Sequence, residues 1–290
     1  MDNEAPGQEG ALGLQESPRN HAHRGPERDV PIDVRLLGRF SVRINGLEIR
    51  FDSQKQAVLL ASLVLSPQHF APREVLAAEV WPQEPPSKWP NALEAHISRL
   101  RGKLIGAVGS SAVAVRGGLV VSTPFGYQLM LRRQETDLGR LSQACDVARV
   151  GAREDPGRAA AVLHAELCHV SLPVLHGLAG GHLLQGASGW LNELVFSAFG
   201  LLCDLEIQAG RPERAIEHLG GIVWRHPLRE DIQVRWMLAL HAAGRSGEAL
   251  STYQRVRQIV ARELGVAPSP VMRAALEEIL RSDARGTRSS

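Results

Sequence analysis

From Asp33 to Phe51 apolar residues alternate with polar ones: Val34 and Leu36, then Phe40, Val42 and Ile44, then Leu47, Ile49 and Phe51. Period-two alternation marks strands that bury one face. Asn45-Gly46 separates the last two runs, a dipeptide that tolerates the positive φ angles of a two-residue hairpin turn. The pattern therefore opens on a small antiparallel sheet, and then its period changes. Ser53-Gln54-Lys55-Gln56 reads as a capping box ahead of the apolar run Ala57 to Leu65, which Ser66-Pro67 closes. Pro72 stands at a first helical position before Arg73 to Trp81, and Pro82 stops that helix. After Pro85-Pro86-Ser87, Pro90 opens a third helix in which Leu93, Ile97, Leu100 and Leu104 share one stripe. Its opposite face carries Asn91, Glu94, Ala95, Ser98 and Arg99, flanked by Arg101 and Lys103.

A Gly/Ser/Ala-rich connection, Gly106 to Ala112, leads to two short strand patterns, Leu119 to Thr123 and Tyr127 to Leu131, around Pro124-Phe125-Gly126. Beyond Arg133 strand signals vanish. Ala209-Gly210-Arg211-Pro212-Glu213-Arg214-Ala215-Ile216 recurs as Ala243-Gly244-Arg245-Ser246-Gly247-Glu248-Ala249-Leu250, 34 positions later, which is the tetratricopeptide period. In that repeat the glycine permits a tight turn and the small alanine lets paired helices approach. The reading is mainly α with small β-sheets. It consists of a tail over residues 1–30 expected to be disordered, a winged helix-turn-helix of the OmpR type over 31–132, and a tetratricopeptide-like α-helical repeat domain over 133–285.

Composition narrows the function classes. With 44% hydrophobic and 22% charged residues the chain is globular, and no apolar stretch approaches the roughly 20 residues of a bilayer span. A cytoplasmic, nucleoid-associated protein with no membrane partner is the expectation. Net charge is only +2, but residues 31–131 hold 11 basic and 7 acidic side chains, whereas residues 1–30 hold 3 and 6. That is a modest footprint for a polyanion. Cys145, Cys168 and Cys203 are widely and irregularly spaced, so reduced core thiols are expected rather than disulfides or a zinc site. His164 and Cys168, four apart with His169, His176 and His182 nearby, match no known ligand spacing, and no metal or cofactor is assigned. There is no GxSxG, HExxH or GxxxxGK[ST] motif, so the chain does not read as an enzyme.

Several segments together resemble the Streptomyces antibiotic regulatory protein family. They are Arg35-Leu36-Leu37-Gly38, Asn91-Ala92-Leu93 with His96 to Arg101, Gly126-Tyr127-Gln128-Leu129, His226-Pro227-Leu228-Arg229-Glu230, Ala243-Gly244-Arg245, and Glu263 to Pro270. The stretch from about Leu167 to Gly189 departs from the family pattern. The resemblance implies an OmpR-type DNA-binding domain joined to a bacterial transcriptional activation domain. It implies direct repeats of double-stranded DNA near a promoter, contacts with the sigma factor and alpha subunit of RNA polymerase, and a secondary-metabolite (antibiotic) gene cluster as target. A homo-oligomer on the DNA fits the direct repeats.

By the same resemblance Glu94, Ala95, Ser98 and Arg99 face base edges, with Asn91 on the same face, while His96, Arg101 and Lys103 lie nearer phosphates. A helix fits the major groove, where Arg bonds guanine bidentately. The competing reading of this face is an ordinary solvated surface. Thr123 and Tyr127 in the wing are either backbone or minor-groove contacts or, for Tyr127, part of the small core. Lys55 and Arg73 at the starts of helices one and two are phosphate contacts or surface ion pairs. Two other classes stand beside the activator: a helical-repeat adaptor whose winged helix has lost DNA binding, and a Cys/His hydrolase that needs a nucleophile and base brought together by the fold. Residues 31–132 are expected to fold around their own core and retain weak DNA binding alone.

Overall fold

The computed structural model describes residues 30–108 and 118–286. The tail expected over residues 1–30 lies almost wholly outside them, as does part of the Gly106 to Ala112 connection. Strands β1 (Ile32–Arg35), β2 (Ser41–Ile44) and β3 (Leu47–Glu48) form an antiparallel sheet in that order. Asn45 and Gly46 sit at φ 53° and 76° with Ile44 opposite Leu47, the geometry expected of a two-residue turn. Helices α1 (Gln54–Leu65), α2 (Arg73–Val80) and α3 (Trp89–Val108) follow, and a second sheet of order β4-β6-β5 joins Phe70–Pro72 (β4) to the hairpin of Val120–Thr123 (β5) and Gly126–Leu129 (β6).

Three local readings change. The Ser53 hydroxyl makes no capping bond; instead Gln56 Oε1 accepts from the amide of Asp52, so the box closes one residue early. Pro72 is the N-cap of α2 and the last residue of β4 rather than the first helical residue. The strand β4 itself lacks alternation because it is only three residues long, so its pairing with Gly126 to Gln128 is invisible in the sequence. Gly126 is required there, since a Cβ would overlap the Ala71 carbonyl.

The rest of the chain is helical: α4 (Asp137–Gly151), α5 (Pro156–Leu167), α6 (His182–Gln208), α7 (Pro212–Arg225), α8 (Glu230–Ala242), α9 (Ser246–Leu264) and α10 (Pro270–Gly286). The 34-residue repeat has a physical basis bond by bond. Gly210 and Gly244 adopt φ 71° and 74°, and Arg211 and Arg245 each donate an amide hydrogen bond of 2.8 Å to the carbonyl five residues back. These are two copies of the Schellman turn, in which a left-handed glycine lets the chain satisfy the last carbonyls of a helix. Ala215 and Ala249, six residues on from Ala209 and Ala243, are fully buried where α7 and α9 pack on their neighbours.

The N-terminal half has no core separate from α4 to α6, while α7 to α10 pack around two further clusters. One buried cluster runs from Ile32 through Leu63, Leu100 and Leu129 to Leu141, Leu163, Leu191 and Leu205. Two carboxylates stitch the seam, Glu79 buried and Asp137 half-buried. Asp137 accepts from the amides of Leu36 and Leu37 at 2.9 to 3.0 Å, and Glu79 accepts from Leu183 and Leu184 at 2.8 and 3.1 Å. Burial pushes the Asp137 carboxyl up, with the amides of Leu37, Leu36 and Leu138 pulling it back in part. The departure from the family pattern near residues 171–178 becomes the third stitch. Ser171, Leu175 and His176 donate to the carbonyls of Leu37, Leu36 and Gly38 at 2.8 to 3.0 Å. Gly38, at φ 151°, lies against this loop, and a Cβ on it would collide with the Ser171 hydroxyl.

The His226-Pro227-Leu228-Arg229-Glu230 motif is structural. His226 meets the Phe196 ring edge-on at 4.9 Å, Arg229 lies over that ring at 4.3 Å and ion-pairs with Glu193 and Asp231, and Glu230 accepts from the Ser269 amide at 2.7 Å, just ahead of α10. Of the thiols, Cys145 and Cys203 are buried, Cys203 being pushed up to about 12 by burial and by neighbouring Asp204. Cys168 is exposed, which corrects the expectation of three core thiols.

Candidate nucleic-acid interface

Helix α3 is oriented by its apolar stripe. Leu93, Ile97 and Leu100 are fully buried and Leu104 nearly so, each contributing roughly 2 kcal/mol by area. At about 100° per residue, that anchoring turns the opposite face outward. Asn91, Glu94, Ser98 and Arg99 are exposed, and Ala95 is half-buried between them. Gly102, on the same face, has open space beyond it. Among the described residues Arg99 makes no hydrogen bond or ion pair, so its guanidinium keeps all five donors.

The flanking cations are used within the protein. Arg101 donates to the Val120 carbonyl at 2.8 Å and to Ser122 Oγ at 2.9 Å, fastening the β5–β6 hairpin to α3. Lys103 donates to the Arg50 carbonyl at 2.9 Å and ion-pairs with Asp52 at 2.8 Å. Both are half-buried. Sequence periodicity sees only that they lie on the shoulders of α3; the partners come from strands distant in the chain.

His96 and Lys55 converge on Trp81. The Lys55 ammonium stands 4.8 Å over the indole, and the His96 ring is 6.0 Å from it. Burial lowers the His96 pKa from the usual imidazole range, and the charges of Lys55 and Arg99 lower it further, so the ring is neutral at neutral pH. Its Nδ1 is buried with no partner among the described residues.

In the wing, Tyr127 is 1% exposed, so its ring closes the core and is not a surface contact. Arg73 and Arg101 lie over it at 5.6 and 5.7 Å, and Arg73 also reaches the Pro124 carbonyl at 3.4 Å. Thr123 is turned onto its own hairpin: its hydroxyl exchanges two 3.1 Å bonds with Gly126. The residue that stands out of this hairpin is one the sequence reading passed over, Phe125, 79% exposed between Pro124 and Gly126. The only signal available was its place in the turn.

A family model described as bacterial transcriptional activator domain matches residues 136–280, and one described as transcriptional regulatory protein, C terminal, matches residues 49–117. The transcriptional regulatory protein EmbR of Mycobacterium tuberculosis is 30% identical over 254 residues, covering 86% of this chain and 63% of EmbR. The transcriptional regulator RedD of Streptomyces coelicolor is 29% identical over 253 residues, covering 87% and 71% of the two chains. A solved structure of M. tuberculosis EmbR in complex with a low affinity phosphopeptide superposes with a TM-score of 0.77 at 28% identity, over 88% of this chain and 66% of that one. The chain thus spans somewhat under two thirds of the EmbR sequence it matches.

Proposed function

Because the chain belongs to the Streptomyces antibiotic regulatory protein family, transcriptional regulators joining an OmpR-type domain to a bacterial transcriptional activator domain, we propose that it is a sequence-specific activator that reads duplex DNA with α3. The observation that carries this reading is the uncommitted guanidinium of Arg99 on the open face of a helix whose other side is fully anchored. An α-helix of this kind enters the major groove, and Arg99 there offers guanine a bidentate contact. Glu94 accepts from cytosine, and Asn91 and Ser98 complete the polar reading face. Lys55 and Arg73, at the first turns of α1 and α2, supply phosphate contacts from the protein's edge.

The finer reading is an activator of a secondary-metabolite gene cluster. It binds direct repeats as neighbouring copies and recruits RNA polymerase through the sigma factor and alpha subunit. The family membership supports this reading. An adaptor without DNA binding draws support from the internal commitment of Arg101 and Lys103, which leaves the face with fewer phosphate ligands.

The two readings separate in one experiment. The full chain is used to select duplexes from a randomised library, and the enriched duplex is titrated with wild type and Arg99→Ala at two salt concentrations. The activator reading expects enrichment, a steep fall of affinity with salt, and a loss of about tenfold for Arg99→Ala at unchanged stability. No enrichment, or wild-type binding by Arg99→Ala, overturns it. Run-off transcription with purified polymerase holoenzyme on a template carrying the enriched repeats then tests recruitment.

A further inference from the structure

We propose that Phe125 is an apolar wedge, inserted by the hairpin tip between base pairs in the minor groove beside the reading helix, so that the protein kinks the DNA it binds. This deepens the DNA-binding reading above and rests on it.

Phe125 is 79% exposed, whereas the other five phenylalanines, Phe40, Phe51, Phe70, Phe196 and Phe199, are buried or half-buried. The tip around it is stiff. Pro124 fixes one φ, Thr123 and Gly126 close the turn with side-chain and backbone bonds, and Arg73 reaches the Pro124 carbonyl. Arg101 holds the base of the hairpin to α3 at Val120 and Ser122. A ring carried on such a support loses little entropy on insertion, which is the general advantage of a preorganised contact.

The tip's chemistry favours base stacks over phosphates. Pro124 and Phe125 carry no charge, the Thr123 hydroxyl is satisfied within the hairpin, and Tyr127 is core. An aromatic ring offered to DNA by such a tip has one favourable destination, the interior of a base step. Apolar side chains inserted from the minor groove partly unstack a step and kink the duplex. Arg73, which reaches the Pro124 carbonyl beside the tip, is the cation placed nearest to where the phosphates bordering the groove would pass.

The test uses the full chain and the library-selected duplex, labelled at its ends for energy transfer and carrying 2-aminopurine at successive steps beside the α3 footprint. Wild type is expected to shorten the end-to-end distance and brighten 2-aminopurine at one step. Phe125→Ala should abolish both signals and weaken binding about tenfold, with an unchanged salt slope because no charge is removed, while Phe125→Trp retains them. The thermal midpoint should be unaffected, since the ring is outside the core. If wild type binds the duplex and Phe125→Ala bends and binds it equally, the wedge is wrong and the DNA reading stands. A lowered salt slope with the bend retained would make the tip a phosphate contact and also overturn the wedge. If wild type enriches no duplex, both readings fall. Loss by Phe125→Ala of polymerase recruitment alone, with DNA binding and bending intact, would assign the ring to a protein partner instead.

Discussion

The carboxylate of Glu79, in the last turn of α2, receives the amides of Leu183 and Leu184 at the start of α6, at 2.8 and 3.1 Å. Glu79 is 2% exposed, and α6 is 27 residues long, so a buried carboxyl group sits on orphan donors at the positive end of a long helix. Gly181, the N-cap, is glycine because a Cβ there would press on the Ala78 carbonyl and on Glu79 itself.

Glu79→Ala should therefore lower the unfolding free energy by about 2–3 kcal/mol, the range for charge-assisted bonds left unmade in a buried site. Urea denaturation of the full chain measures it. Glu79→Gln, which keeps one acceptor oxygen, should recover part of the loss.

The continuous core revises what a fragment does. Cutting at residue 132 strips Leu36 and Leu37 of their Asp137 acceptor and exposes the apolar surface that Leu141, Leu184 and Leu191 cover. Residues 31–132 should bind apolar dyes and denature well below the full chain, whereas residues 31–208, which retain α4 to α6, should melt cooperatively. Equal midpoints for the two fragments would show that the seam contributes little.

Arg101→Ala is expected to differ from Arg99→Ala in stability and not only in affinity. It removes two hydrogen bonds that fix the wing and one cation over the Tyr127 face. A stability loss of about 1–3 kcal/mol should accompany its weaker DNA binding, while Arg99→Ala leaves the thermal midpoint alone.

The junction between β1 and α4 should be acid-sensitive. Burial raises the Asp33 carboxyl, but hydrogen bonds and charge from Arg35 and Arg140 outweigh it, and the net pKa lies below the usual carboxylate value of 3.8. A depressed native pKa means stability present above the unfolded pKa and lost as pH falls through the folded one. The full-chain midpoint should thus fall on acidification below about pH 4. In Asp33→Asn that part of the dependence should disappear. A parallel pH profile for the variant would discount the pair.

At neutral pH His96→Gln should leave the salt slope of DNA binding unchanged. The native ring is already uncharged, its pKa lowered by burial and by Lys55 and Arg99. A slope reduced by about one would mean that DNA phosphates recharge the imidazole.

Legibility in the sequence followed length of pattern. The α3 stripe spans 12 residues at helical spacing, and all four of its members are buried as read. The 34-residue repeat was equally plain because each copy needs a glycine in the same left-handed position. What periodicity missed was set by contacts distant in the chain. Three-residue β4 exists because β6 pairs with it. Arg101 and Lys103 look like free cations on a helix wheel until β5 and the Arg50–Asp52 loop arrive as partners. Asp137 and Glu79, unremarkable acids in the sequence, prove to be acceptors across the seam, for amides that lie about 100 positions away.

The clasp of residues 171–178 on Leu36 to Gly38 bears on how such regulators can be recombined. A chimera that borrows another operator preference by replacing everything before the repeats inherits a foreign collar for this loop, with Ser171 meeting whatever stands in place of Gly38. Grafting only the outward residues of α3 and the wing tip leaves the clasp, Asp137 and Glu79 with their native partners. The workable unit of exchange in this scaffold is a surface, and the seam moves as one piece or not at all.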